Sequence, residues 1–167
     1  MNSARPLFLT AIIVFVLDQV SKVVIVFWLD LVNRGVIEVF PPFLTLRMAW
    51  NRGVNFGLFA GDSDYLRWFL VGLSVVISAW VVWWMVTERP GRAAMISGGL
   101  LVGGALGNAL DRVLHGAVAD FLNMSCCGLN NPYAFNVADI SIFLGAVGLV
   151  IFASGTSKAG DDAAKGG

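Results

Sequence analysis

The chain has 167 residues, of which 57% are hydrophobic and 13% charged, with a mean hydropathy of +0.78 and a formal net charge of +0. A soluble globular domain carries about 25% charged residues, so this chain has too little polar surface to cover itself in water and reads as an integral membrane protein. The balanced charge and the absence of a basic run exclude nucleic acid as an expected partner.

The length fits one domain. The N-terminal stretch carries Arg5 ahead of an apolar run, as a signal peptide does, but no small-residue cleavage site follows. Apolar character resumes at Val23 and continues to Leu29, so residues 6–29 are expected to form an uncleaved first transmembrane helix. Asp18 and Lys22, four apart, share one face of it. They neutralise each other in lipid, or support a polar site, or both. Residues 30–64 differ in kind. Val36–Phe40 and Phe43–Trp50 are rich in β-branched and aromatic residues and bounded by turn formers, so they read as short strands of an extracytoplasmic segment between the first two helices. That segment closes on Asn51-Arg52-Gly53-Val54-Asn55-Phe56-Gly57, which is either a turn for re-entry into the membrane or an Asn presented to a ligand.

Residues 65–86 form the expected second span, with Trp68 near one end and Trp80, Trp83 and Trp84 near the other, where indoles favour the membrane interface. Pro90-Gly91 turns the chain. Residues 93–114 are the third span, and Gly98, Gly99, Gly103, Gly104 and Gly107 allow close helix approach. His115, the single histidine, reads as a solvated cap at the helix exit. Residues 115–132 are expected to be a polar connection that contains Asp120. The adjacent Cys126-Cys127 pair is neither a zinc spacing nor a disulfide framework, and reads as filler. Residues 133–153 are the fourth span, with Asn136 and Asp139 on one face. Residues 1–156 make up the membrane domain, and the Gly-, Ala- and Ser-rich tail, 157–167, is expected to be disordered. Arg5, Arg89, Arg92, Lys158 and Lys165 put both termini in the cytoplasm by the positive-inside rule. Arg34, Arg47, Arg52, Arg67 and Arg112 fall on the opposite side, four of them in or beside the long first loop. The fold class is therefore an all-α membrane protein of four transmembrane helices with a small extracytoplasmic β-sheet.

The chemistry concentrates between Gly103 and Asp139. An acid at the membrane edge is a functional-site hypothesis by default. Asp120 and Asp139 sit in matching settings, Val-Ala-Asp-Phe and Val-Ala-Asp-Ile. Two carboxylates placed together cannot both ionise cheaply, so one keeps a proton and the pair becomes an acid and a base. The charged member takes a proton from an attacking water, and the neutral member protonates the leaving amine. No Ser–His, Cys–His or zinc ligand set competes, and no cofactor or metal is called for. The same acids would also serve a proton-coupled carrier or channel, with Asp18 and Lys22 as further relay groups. A non-catalytic membrane scaffold is a third reading.

Five stretches in order resemble the bacterial lipoprotein signal peptidase (signal peptidase II) family over residues 7–153. They are Asp18-Gln19-Val20-Ser21-Lys22, the Asn51–Gly57 stretch, Gly103–Arg112, Val118-Ala119-Asp120-Phe121 and Phe135-Asn136-Val137-Ala138-Asp139. The resemblance implies an aspartic endopeptidase of the bacterial inner membrane. Its substrate would be a prolipoprotein, cut just before a diacylglyceryl-modified cysteine, with membrane lipids around it and the enzyme a monomer. It puts catalytic roles on Asp120 and Asp139. It puts dyad-supporting or substrate-binding roles on Asp18, Asn51, Asn108, Arg112 and Asn136; Lys22, on the face of Asp18, and Gly53, beside Asn51, are expected to join them. The second stretch departs from the family in carrying Asn55 where a small residue is more usual. Asp111 lies near the outer face but outside the expected pair.

Overall fold

The computed structural model describes residues 3–53, 64–126 and 131–153. The sequence expectations at Val54–Gly57 (Asn55 included), Cys127 and the tail 157–167 lie outside them. The elements in chain order are α1 (Arg5–Lys22), a π-helical continuation (Val23–Trp28), α2 (Leu31–Arg34), β1 (Val36–Phe40), β2 (Leu44–Asn51), α3 (Asp64–Glu88), α4 (Arg92–His115), β3 (Val118–Met124) and α5 (Val137–Ala153).

Among the described residues, three helices have membrane-crossing length and hydropathy: Arg5–Trp28, Asp64–Glu88 and Arg92–His115. Their ends fall within two residues of the sequence expectation. The expected fourth span is corrected at its start. Residues 133–136 are not helical, and α5 has 17 residues, about 26 Å of helix against roughly 30 Å of hydrocarbon. The missing turn is spent on pairing. Phe135 donates to Leu122 O at 3.0 Å and accepts from Leu122 N at 2.8 Å, so this segment runs extended beside β3.

Lipid-facing surfaces are apolar. Leu9, Ile12, Val76, Phe143 and Val150 are between 61% and 74% exposed, a pattern that would be costly in water. α4 is the inner helix and packs on α1, α3 and α5. Its glycines permit this. A Cβ on Gly103 would lie 2.5 Å from Ala11 O in α1, and one on Gly104 would lie 2.5 Å from Ala138 O in α5. Leu7, Val81, Met85, Met95 and Val102 form the core where α1, α3 and α4 meet.

The sheet is a second correction. It has three antiparallel strands in the order β1-β2-β3, not two. The third comes from the stretch read as a polar connection. Gly116, at φ 77°, ends α4 in a left-handed cap and turns the chain straight into β3. β3 then pairs with β2, Ala49 opposite Asp120 and Asn51 opposite Val118. Val26, Leu31, Leu46, Ala119 and Phe121 pack beneath it. The sheet therefore sits where α1 ends, α3 begins and α4 ends, and it brings Asp120 to that end of the bundle.

Candidate active site

Asp120 stands in β3 and is 2% exposed. Its Oδ1 accepts from Asn136 Nδ2 at 2.7 Å, and its Oδ2 accepts from Asn51 Nδ2 at 3.1 Å. Burial, and then the charge of Asp139, push its carboxyl up to about 7, against the opposing pull of the Asn51 hydrogen bond, Lys22 and the Asn136 hydrogen bond.

Asp139 stands in the first turn of α5 and is half-buried. It forms a reciprocal cap with Asn136, the residue before the helix. Asp139 N donates to Asn136 Oδ1 at 2.9 Å, and Asn136 N donates to Asp139 Oδ2 at 3.2 Å. This is the capping-box arrangement, with Asn and Asp in place of Ser and Glu. Asp139 Oδ1 accepts from Asn108 Nδ2 at 2.9 Å. Asn136 thus holds both acids, one through its side-chain amide and the other through its backbone.

The remaining expected residues surround this bridge. Asn108 accepts from Asn136 Nδ2 at 3.1 Å and from Lys22 Nζ at 3.3 Å. Lys22 pairs with Asp18 at 2.7 Å. Asn51 Oδ1 accepts from Gly53 N at 3.1 Å, which turns the chain so that Gly53 O accepts from Arg112 Nη2 at 2.9 Å. Arg112 Nη1 donates to Asn108 O at 3.3 Å, while its buried Nε has no protein partner among the described residues. Arg67 of α3 ties down this end of α4, donating to Arg112 O at 2.7 Å and Val113 O at 2.8 Å. All nine site residues expected from sequence therefore fall into one connected network.

A cavity of about 360 Å³ opens between α3, α4 and α5. Leu70, Leu73, Ile77 and Ile142 make its apolar walls, and Asn108, Arg112 and Asp139 bring polar groups to it. Asp120 is not on its lining and lies deeper. The two acids thus differ in access, one facing the cavity and one buried behind it. Among the described residues, no three His, Cys, Asp or Glu side chains gather as a metal site would require. His115 is outside the network. It is exposed at the end of α4, with its ring 5.7 Å from Trp50 and 6.1 Å from Phe27. Cys126 is exposed and not in a disulfide.

Sequence reasoning missed two contributors. Asp111 is 2% exposed, pairs with Lys22 at 2.8 Å and accepts from Ala119 N at 3.2 Å. Gln19 Nε2 donates to Asp18 at 3.1 Å and to Asp111 at 3.2 Å. The available signal was charge balance: a second acid inside an apolar helix needs a cation, and Lys22 is the lysine that the first span carries in its own apolar run.

The comparisons with known proteins agree with this architecture. The family model described as signal peptidase (SPase) II matches residues 10–154. The lipoprotein signal peptidase of Methylobacterium sp. (strain 4-46) is 42% identical over 95% of this chain and 96% of its own length. That of Rhodopseudomonas palustris (strain ATCC BAA-98 / CGA009) is 37% identical over 85% of this chain and 87% of its own. A solved bacterial membrane enzyme, determined by the in meso method, superposes with a TM-score of 0.72 at 30% identity, covering 86% of this chain and 84% of that one. With a family match over most of its length and relatives of this identity, the chain belongs to the signal peptidase II family.

Proposed function

We propose that the chain is a bacterial membrane aspartic endopeptidase. It removes the signal peptide from diacylglyceryl-modified prolipoproteins, cutting before the lipidated cysteine, with Asp120 and Asp139 as its acid–base pair. The observation that carries this reading is the pair itself: two carboxylates held by one asparagine, one buried and pushed up to about 7, the other facing a cavity.

Asp139, the accessible carboxylate, takes a proton from the water that attacks the scissile carbonyl. Asp120, kept neutral by burial and by its neighbour's charge, donates a hydrogen bond to the carbonyl oxygen and gives its proton to the leaving amine as the C–N bond breaks; the proton that Asp139 took from water then passes back to Asp120 and restores the pair. Asn51, Asn108 and Asn136 orient the acids. The Nε of Arg112, without a partner among the described residues, donates to the substrate backbone. The apolar cavity walls receive acyl or signal-peptide side chains, and lipid chains add about 0.8 kcal/mol per buried CH₂. Arg5, Arg89 and Arg92 support cytoplasmic termini, which puts the sheet and the acid pair on the extracytoplasmic side. The enzyme works as a monomer in the inner membrane.

The test is cleavage by purified protein in detergent of one precursor, with and without its diacylglyceryl group. Cleavage before the cysteine of the lipidated form alone is expected. A folded protein that cleaves neither form, or prefers the unmodified one, would overturn the proposal.

A further inference from the structure

Behind the acid pair lies a buried cluster of charge that the chemistry above does not use. Asp18, Lys22 and Asp111 are 0%, 4% and 2% exposed. Lys22 Nζ lies 2.7 Å from Asp18 Oδ2 and 2.8 Å from Asp111 Oδ2. Each carboxylate also reaches a backbone amide. Asp18 accepts from Ala138 N at 3.0 Å, and Asp111 accepts from Ala119 N at 3.2 Å. These two alanines are the residues immediately before Asp139 and Asp120. The repeated Val-Ala-Asp segments are therefore gripped in the same way, at the same position, by two acids that share one ammonium.

We infer that the Asp18–Lys22–Asp111 cluster is a spacing device, in which one lysine joins two carboxylates that each hold the amide next to an active-site aspartate. It deepens the acid-pair reading above and rests on it. Both amides need such a partner. Ala138 N–H belongs to the first turn of α5, where the helix supplies no acceptor and a carboxylate is favoured. Ala119 lies in β3, the last strand in the order β1-β2-β3, and its N–H turns to Asp111 of α4. The joint is tight. A Cβ on Gly107 would lie 2.6 Å from Asp18 Oδ2, and Gln19 Nε2 adds a second link between the two acids. Three elements, α1, α4 and α5, and the strand β3 are thereby fixed relative to one another through Lys22. The cluster touches neither substrate nor water in this scheme. Asp18, Lys22 and Asp111 are positioning residues, and their loss lowers turnover by letting the acids drift, since a misplacement near 1 Å costs about 100-fold in rate.

The test compares kcat and KM on the lipidated precursor, with melting temperature followed in parallel. Asp18→Leu and Asp111→Leu remove an acceptor; Asp18→Asn and Asp111→Asn keep an oxygen that can accept the same amide. We expect each Leu variant to lose at least about tenfold in kcat with KM within about threefold of the parent, and each Asn variant to recover most of that loss. A cluster that only stabilised the fold would lower the melting temperature and leave kcat per folded molecule unchanged. The second measurement replaces Ala119 or Ala138 by lactic acid through nonsense suppression, deleting the single N–H and no side chain. The ester at 138 should lower kcat in the parent and add little on Asp18→Leu, because the same bond is already gone; on Asp111→Leu it should add its full loss. Parental kcat in both ester proteins would overturn the inference, including where the Leu variants do not fold. Asp120→Asn and Asp139→Asn run beside them: if those retain activity, the acid-pair reading fails, and if they are inactive while both esters are fully active, only the spacing device fails.

Discussion

The same tripeptide, Val-Ala-Asp, occurs twice and takes two conformations. At Val118–Asp120 it is strand, paired with β2; at Val137–Asp139 it is the first turn of a helix. The strand copy sends its carboxylate inward between Asn51 and Asn136, where it is buried and pushed up to about 7. The helix copy folds its carboxylate back as a cap and leaves it half-exposed at the cavity. Local sequence is alike in the two, so the difference in chemistry comes from what surrounds each copy. A buried acid pushed up by its surroundings, beside an accessible one, suits the pair to opposite roles in proton transfer.

The largest effect that could break this comparison is loss of either carboxylate. Asp120→Asn and Asp139→Asn should each lower cleavage of the lipidated precursor by at least about 100-fold while leaving the fold intact. Because the two act as a unit, the double variant should be no worse than either single one. A folded single variant within about tenfold of the parent would remove that residue from the pair. Next comes Asn136, the group that touches both copies. Asn136→Ala removes the bridge and the N-cap together, so turnover should fall at least about tenfold and stability by about 1 kcal/mol. Turnover that is unchanged when stability falls would mean that the bridge only caps α5.

The pH profile sharpens the comparison further. Burial and the charge of Asp139 both favour the neutral form of Asp120, so its proton is held up to about pH 7 and lost above it. Activity should therefore fall as pH rises through about 7, by about tenfold per unit once the proton is lost. An alkaline limb that begins only beyond pH 9 would assign the acid to another group. The smallest effect is expected at Cys126, which lies just beyond β3 and is exposed. Cys126→Ser should leave kcat/KM within about twofold, since a thiol mechanism needs a paired base; loss of cleavage in the folded variant would point to the thiol instead.

Much of this arrangement is legible in the sequence. α1, α3 and α4 follow from their apolar runs, and β1 falls on Val36–Phe40 as its β-branched residues indicate. The second strand shifts from Phe43–Trp50 to Leu44–Asn51, which puts Asn51 inside the sheet and next to Asp120. What is not legible is non-local. Val118–Met124 holds an acid and an asparagine, a poor strand by propensity, and becomes one because β2 and Phe135 pair with its two sides. The start of α5 is hidden for the same reason: Tyr133–Asn136 continue the apolar character of the helix, yet their backbone is used by β3. Asp111 reads as a bystander because its partner, Lys22, lies 89 positions earlier in the chain and meets it only when α1 packs on α4.

The central claim is that the strand copy, Asp120, holds the pair's proton. It is tested most directly by difference infrared titration of protein labelled with ¹³C-aspartate, which reads the protonated carboxyl itself. The account requires a carboxyl band at neutral pH that titrates away near pH 7, is absent in Asp120→Asn, and persists in Asp139→Asn with a lower midpoint because the neighbouring charge has been removed. A band that survives in Asp120→Asn and disappears in Asp139→Asn would contradict it.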